Sequence, residues 1–206
     1  MDQPTPATAG DILMTMRPAA FIDRDDTLIA TRSVTAGTDH VGDLLDPRQV
    51  ELIPGAAEGC RLLSQAGLPL VVVSNQGLVA RGRGGLREVE AVNDRLRLLL
   101  REVGVELAGL YYCPFHPLGR VPAFKGEHAW RKPSEGMFTA AAAELGLSLS
   151  SSWAIGDSPR DVVSAVTAGI PPGHAVVIGK GPGIFYRDLV DVAKVVLERR
   201  RQEAAE

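Results

Sequence analysis

Short apolar runs alternate along this chain with stretches whose apolar residues recur at helical spacing. The runs at 19–22, 70–74, 110–113, 153–156 and 175–178 are continuously apolar rather than alternating. Runs of that length and character suit strands buried on both faces. Between them, residues 86–103 place Leu86, Val89, Val92, Leu96, Leu99 and Val103 at roughly helical period. Helices are also predicted over 55–65, 134–145, 159–168 and 186–201. Ser134 is a plausible N-cap for one. Ser158-Pro159-Arg160-Asp161 matches a capping box with proline at the first helical position for another. Strands alternating with helices predict an α/β fold of Rossmann-like form, a central parallel sheet covered by helices on both faces. No internal repeat is visible.

Three stretches break the alternation. Residues 1–17, rich in Pro, Thr, Ala and Gly, are expected to form a flexible lead-in to one domain over 18–206. Residues 28–53 and 114–133 form long connections with little periodicity. Long loops in compact domains are often functional. In open α/β sheets, ligands bind beyond the carboxyl ends of the strands. Both loops leave from those ends, so both should border a site. Neither is long enough to suggest a large inserted cap.

Composition changes this picture little. A length of 206 residues fits one domain, and the formal charge of −3 argues against a chain built to coat nucleic acid. Two cysteines, Cys60 and Cys113, make no disulfide framework and fit a reducing compartment. No apolar run approaches a membrane span, and acidic residues occupy the place of a signal peptide's basic region. A cytoplasmic monomer with no membrane partner is expected.

The residues that follow each strand carry the chemistry. After the first come Asp23, Asp25 and Thr27, and after the second Ser74-Asn75-Gln76. The long loop after the third ends in Arg131-Lys132-Pro133, and the fourth runs into Asp157 and Asp161. Side chains alternate along extended chain, so Asp23 and Asp25 project the same way. Two like charges held together need a cation between them, or a proton on one of them. Hydroxyls, amides, two cations and four carboxylates thus gather at one sheet edge. Hydrolysis of a phosphate ester through an aspartyl-phosphate would use that set. A carboxylate attacking a phosphate dianion needs neutralising cations, and Mg²⁺ favours hard oxygen ligands.

These pieces resemble the haloacid dehalogenase-like (HAD) phosphatases, whose first motif is Asp-x-Asp-Gly-Thr. Within them the chain is most similar to the D-glycero-heptose-1,7-bisphosphate 7-phosphatases, relatives of the histidinol-phosphatase domain. The matching segments are 21–25, 72–76, 110–114, Arg131-Lys132-Pro133 and Gly156-Asp157, in order over roughly 19–180. The resemblance implies Asp23 as nucleophile and metal ligand. It implies Asp25 as the residue that protonates the leaving alcohol and then activates water, its carbonyl binding Mg²⁺. Ser74 and Lys132 would hold the phosphoryl group, Asp157 would complete the metal site, and Asn75, Gln76 and Arg131 would contact substrate. The implied substrate is a small phosphorylated sugar, with a heptose bisphosphate the best single choice. Histidinol phosphate or another sugar phosphate is the alternative. A catalytically silent phospho-ligand sensor is the alternative of another class, and retention of both first-motif aspartates speaks against it.

Two departures stand out. Asp26 occupies the position of the family's glycine. Aspartate tolerates positive φ better than most residues, so the turn is expected to survive. The subfamily's zinc ligands, Cys-x-His and Cys-x-Cys, correspond here to Cys113, Phe115, His128 and Trp130. Two of the four cannot bind metal, so no structural Zn²⁺ is expected, and Phe115, Trp130 and Phe124 are expected to pack the loop instead. His116 and Glu127 are the substitute ligands a shifted site would need. Arg24 is expected to be structural, on the face opposite the aspartate pair. Asp161 fits a helix cap and a metal-supporting residue equally. His40, His174 and the run Arg199-Arg200-Arg201 carry no catalytic signal.

Overall fold

The computed structural model describes residues 16–179 and 186–203. The lead-in expected over 1–17 lies outside them, apart from its last two residues. Strands β1 (Ala20–Ile22), β2 (Leu70–Asn75), β3 (Leu107–Cys113), β4 (Trp153–Gly156) and β5 (Ala175–Val177) form one sheet. Their order is β3-β2-β1-β4-β5, and every pairing is parallel. Helices are α1 (Thr31–Val34), α2 (Ala56–Gln65), α3 (Leu78–Arg81), α4 (Leu86–Glu102), α5 (Gly136–Leu145), α6 (Pro159–Ala168) and α7 (Leu189–Glu203).

The two-residue period of the strands divides the core into two layers. Ala20, Ile22, Leu70, Val72, Trp153 and Ile155 meet α2, α4 and α7 on one face. Ala19, Phe21, Val71, Val73 and Ala154 meet α5 and α6 on the other. Burying each such Leu, Ile or Phe contributes about 1.5–3 kcal/mol. Phe21 is fully buried, its ring 5.1 Å from that of Phe138. On the other face α2 and α7 approach so closely that a Cβ on Gly59 would lie 2.6 Å from Leu189.

Boundaries moved where a partner or cap outweighed the local signal. β3 starts at Leu107 rather than 110, because β2 supplies pairing partners to Leu107 and Gly109 through a register shift. α5 starts at Gly136 because the Ser134 N–H is spent on a turn to the Arg131 carbonyl. α7 starts at Leu189, where Asp188 Oδ1 accepts the N–H groups of Val190 and Asp191 at 3.0 Å each. The loop over 28–53 is less irregular than expected. It closes on itself through an antiparallel bridge between Ile29 and Leu52. Leu28, Ile29, Leu44 and Val50 anchor it in the core.

β1 lies at the centre of the sheet, and Ile22 aligns with Val72 on one side and Ile155 on the other. The segments after β1, β2 and β4 therefore leave the sheet side by side.

Candidate active site

Asp23 follows β1 directly, and its N–H donates to the Ile155 carbonyl at 2.9 Å. Lys132 reaches it from the loop after β3. Lys132 Nζ lies 2.5 Å from Asp23 Oδ1 and 2.6 Å from Asp161 Oδ1, and donates to the Val73 carbonyl at 2.8 Å. The lysine side chain is 1% exposed. Burial works against its charge, but the two carboxylates outweigh it and raise its pKa. Asp23 is also shifted upwards, which for a carboxyl favours the neutral form. Burial, with the charges of Asp161 and Asp25, raises its carboxyl from 3.8 to about 7 against the pull of Lys132.

Asp25 has a different environment. Arg24 Nη2 donates to its oxygens at 3.1 and 3.2 Å, Thr31 Oγ1 at 2.5 Å, Gln76 Nε2 at 2.6 Å and Ser74 Oγ at 3.2 Å. Burial would raise its pKa, but Arg24 and these donors lower it on balance. In the metal-free site the two carboxyl groups thus have their affinities for protons moved apart, Asp23 upwards and Asp25 downwards. Arg24, expected on the opposite face, instead turns its guanidinium to the pair: Nη1 donates to Asn93 Oδ1 at 2.7 Å while Nη2 holds Asp25. Sequence reasoning missed this contact, and an arginine inside an apolar strand end was the available signal.

Asp157 and Asp161 come from the turn after β4 and the first turn of α6. Of the two roles the sequence allowed Asp161, the helix cap is formed. Its Oδ2 accepts the Ser158 N–H at 3.1 Å to complete the capping box, while Oδ1 faces Lys132. It fits because residue 156 is glycine: a Cβ there would lie 2.5 Å from the Asp161 carboxyl. One carboxylate oxygen from each of Asp23, Asp157 and Asp161 lies within 4.8 Å of the others. Asp157 Oδ1 is buried and has no hydrogen-bond partner among the described residues. A hard divalent cation suits this donor set, three carboxylates with an orphaned oxygen among them. Asp161 rather than the Asp25 carboxylate is the third side chain of the cluster.

Two residues expected to touch substrate are committed to the protein. Asn75 Nδ2 donates to the Lys132 carbonyl at 2.9 Å, and Asn75 Oδ1 accepts the Lys132 N–H at 3.0 Å. Gln76 is buried and donates to Asp25 and Ser74. Arg131 does line the adjoining pocket, of about 310 Å³, with Asp25, Arg32, Arg81 and Arg160. The loop over 28–53 forms one wall, as expected, and its buried Asp43 holds Arg81 and Arg83 at 2.6 and 2.7 Å. A larger cavity of about 630 Å³ opens against Tyr111, Tyr112, Phe115 and Trp130, but no carboxylate lines it. The chemistry lies with the smaller one.

Asp26 adopts φ +56°, so the turn that glycine would make is kept. Its Oδ1 accepts the N–H groups of Thr31 and Arg32 at 3.2 and 2.9 Å. Around the altered zinc positions, the Phe115 ring stacks on His128 at 4.3 Å and meets Phe124 edge-on at 5.6 Å. Trp130 packs edge-on to Tyr111 at 6.1 Å. His128 Nδ1 accepts the Trp130 N–H at 3.1 Å, and His116 Nδ1 that of Leu118 at 3.1 Å.

The HAD-hydrolase-like family model matches residues 129–180. The D-glycero-beta-D-manno-heptose-1,7-bisphosphate 7-phosphatase of Mesorhizobium japonicum is 35% identical over 86% of this chain and 79% of its own. The enzyme of that name from Escherichia coli K12 is 34% identical over 79% of this chain and 81% of its own. A crystal structure of a HAD-like phosphatase from Mesorhizobium loti superposes with a TM-score of 0.71 at 31% identity, covering 88% of this chain and 86% of that one. A D,D-heptose 1,7-bisphosphate phosphatase from B. bronchiseptica, solved with magnesium and phosphate, shares the fold at TM-score 0.71 and 24% identity, covering 88% of this chain and 99% of that one. At these identities and coverages the chain belongs to the HAD-superfamily phosphatases, alongside the D-glycero-beta-D-manno-heptose-1,7-bisphosphate 7-phosphatases.

Proposed function

We propose that this chain is a Mg²⁺-dependent phosphatase that removes the 7-phosphate of D-glycero-D-manno-heptose 1,7-bisphosphate in the cytoplasm. The observation that carries the reading is Lys132 bridging Asp23 and Asp161 at the sheet edge, beside the orphaned oxygen of Asp157. Asp23, Asp157 and Asp161 would hold the Mg²⁺, which when bound supplies charge neutralisation between carboxylate and phosphate. The arginine-lined pocket beside Asp25 suits a substrate with a second anionic group.

In this reading an Asp23 oxygen attacks phosphorus, and the bond from phosphorus to the sugar oxygen breaks. Asp25 gives its proton to that oxygen. It then takes a proton from the water that hydrolyses the aspartyl-phosphate, so Asp23 returns as the carboxylate and Asp25 as the protonated acid. Lys132 neutralises charge on the transferring group. Asp25 is held below its ordinary pKa in the ligand-free site. A phosphate dianion arriving beside it would raise that pKa, giving it the proton the first step needs. Ser74 and Gln76, now donating to Asp25, are placed to follow that change. Asn75 positions Lys132 rather than substrate.

The test is phosphate release from a panel of sugar phosphates, with and without Mg²⁺, for the native chain and Asp23→Asn. Mg²⁺-dependent turnover, highest on the heptose bisphosphate and abolished in the variant, is expected. Full activity of Asp23→Asn would refute the mechanism.

A further inference from the structure

The side chain of Arg32 joins two carboxylates from distant parts of the chain. Its Nη1 lies 3.1 Å from Asp157 Oδ2, and its Nε lies 3.4 Å from Asp26 Oδ2. Asp26 is itself fixed by the Thr31 and Arg32 N–H groups on its Oδ1. Asp157 therefore has one oxygen held by Arg32, while the other, Oδ1, is buried and unpartnered beside Asp23 and Asp161.

We infer that Arg32, anchored by Asp26, is a positioning residue that orients the Asp157 carboxylate for divalent-cation binding. The inference rests on the metal-site reading above. A carboxylate ligand whose second oxygen is tied to a fixed partner loses its freedom to rotate, and such outer partners govern metal affinity. An arginine alone beside a cation site would repel the cation. Here Asp26 cancels its charge, so the pair orients Asp157 at little electrostatic cost. That gives a reason for an aspartate at residue 26: it caps α1 and carries Arg32. Arg32 is 61% exposed, and a single exposed ion pair is worth little by itself. Its value here is geometric, because Asp26 is held by backbone donors and the fork spans two fixed acceptors.

Calorimetric titration with MgCl₂ alone tests this without reliance on turnover. Arg32→Met should raise the Mg²⁺ dissociation constant by about 10–100-fold. Arg32→Lys keeps the charge but not the fork and should recover only part of the affinity. Unchanged or tighter Mg²⁺ binding in Arg32→Met would overturn the inference. So would full recovery in Arg32→Lys. Asp157→Asn separates the two levels: Mg²⁺ binding that survives it refutes the metal-site reading, whereas its loss there with no effect of Arg32→Met refutes only the role of Arg32.

Discussion

The side-chain amide of Asn75 holds the backbone of Lys132 from both sides, donating to its carbonyl at 2.9 Å and accepting its N–H at 3.0 Å. This pair ties the end of β2 to a loop 57 residues further along the chain. It sets where the lysine side chain starts, and hence where Nζ meets Asp23. Asn75→Ala should leave these partly buried backbone groups without partners, costing about 1–3 kcal/mol of stability. Loss of Lys132 placement should lower kcat by on the order of 100-fold. A residue that merely touched substrate would act on KM instead. Steady-state kinetics at saturating Mg²⁺ separate the two, and a change confined to KM would show that Asn75 is a substrate contact after all.

Lys132→Met should be more severe in the absence of metal than in its presence. The ammonium lies between Asp23 and Asp161, both almost wholly buried. Removing one partner from a buried ionic cluster costs about 3–5 kcal/mol, because the remaining charge is uncompensated. A bound divalent cation would neutralise the same carboxylates and recover part of that loss. Thermal unfolding with and without Mg²⁺ should show a larger metal-dependent rise in Tm for the variant than for the native chain. An equal or smaller rise would mean that lysine and cation act on different carboxylates.

The architecture was legible because a parallel sheet buried on both faces leaves continuous apolar runs, and β1, β2, β4 and β5 all show them. β3 was read short because Ala108 and Gly109 carry no strand signal of their own. Their pairing comes from β2, which lies far away in sequence. The positions of Asp23, Asp157 and Lys132 could be read from strand ends alone. The contacts of Asn75 and Gln76 could not, because both sit in a segment where exposure to substrate and bonding to a neighbouring loop look alike in sequence. Asp26 gives the converse case. Its tolerance of positive φ followed from residue type, but its bond to the Arg32 side chain depends on how the following turn folds back.

An aromatic cluster packs the loop after β3 around the altered zinc positions. His128 is stacked on Phe115, and its Nδ1 is engaged by the Trp130 N–H. Cys113 Sγ lies 4.0 Å from that nitrogen, with no further cysteine beside it among the described residues. Elemental analysis of the purified protein should therefore find no stoichiometric zinc, and chelator treatment should not unfold it. Trp130→Ala should destabilise the loop and cost about 3–5 kcal/mol if the site cannot collapse. One zinc per chain, lost together with the fold on chelation, would overturn this account.

The raised pKa of Asp23 makes metal binding depend on pH in a fixed direction. In the metal-free protein burial, with Asp161 and Asp25, holds this carboxyl at about 7, against an ordinary 3.8. The folded state therefore binds the proton more tightly than the unfolded chain does. That contribution to stability is fully present below pH 3.8 and is lost as pH rises through about 7. Asp157 is shifted upwards too, by burial and by Asp161. A divalent cation must displace these protons, so its apparent affinity should climb with pH up to about 7 and then level off. The rise in Tm produced by saturating Mg²⁺ should accordingly be larger at pH 8 than at pH 6, about one unit either side of the transition. Comparing melts with and without Mg²⁺ at each pH removes the contribution of carboxyl groups remote from the site. A larger rise at pH 6 would mean that the proton and the cation do not compete for Asp23.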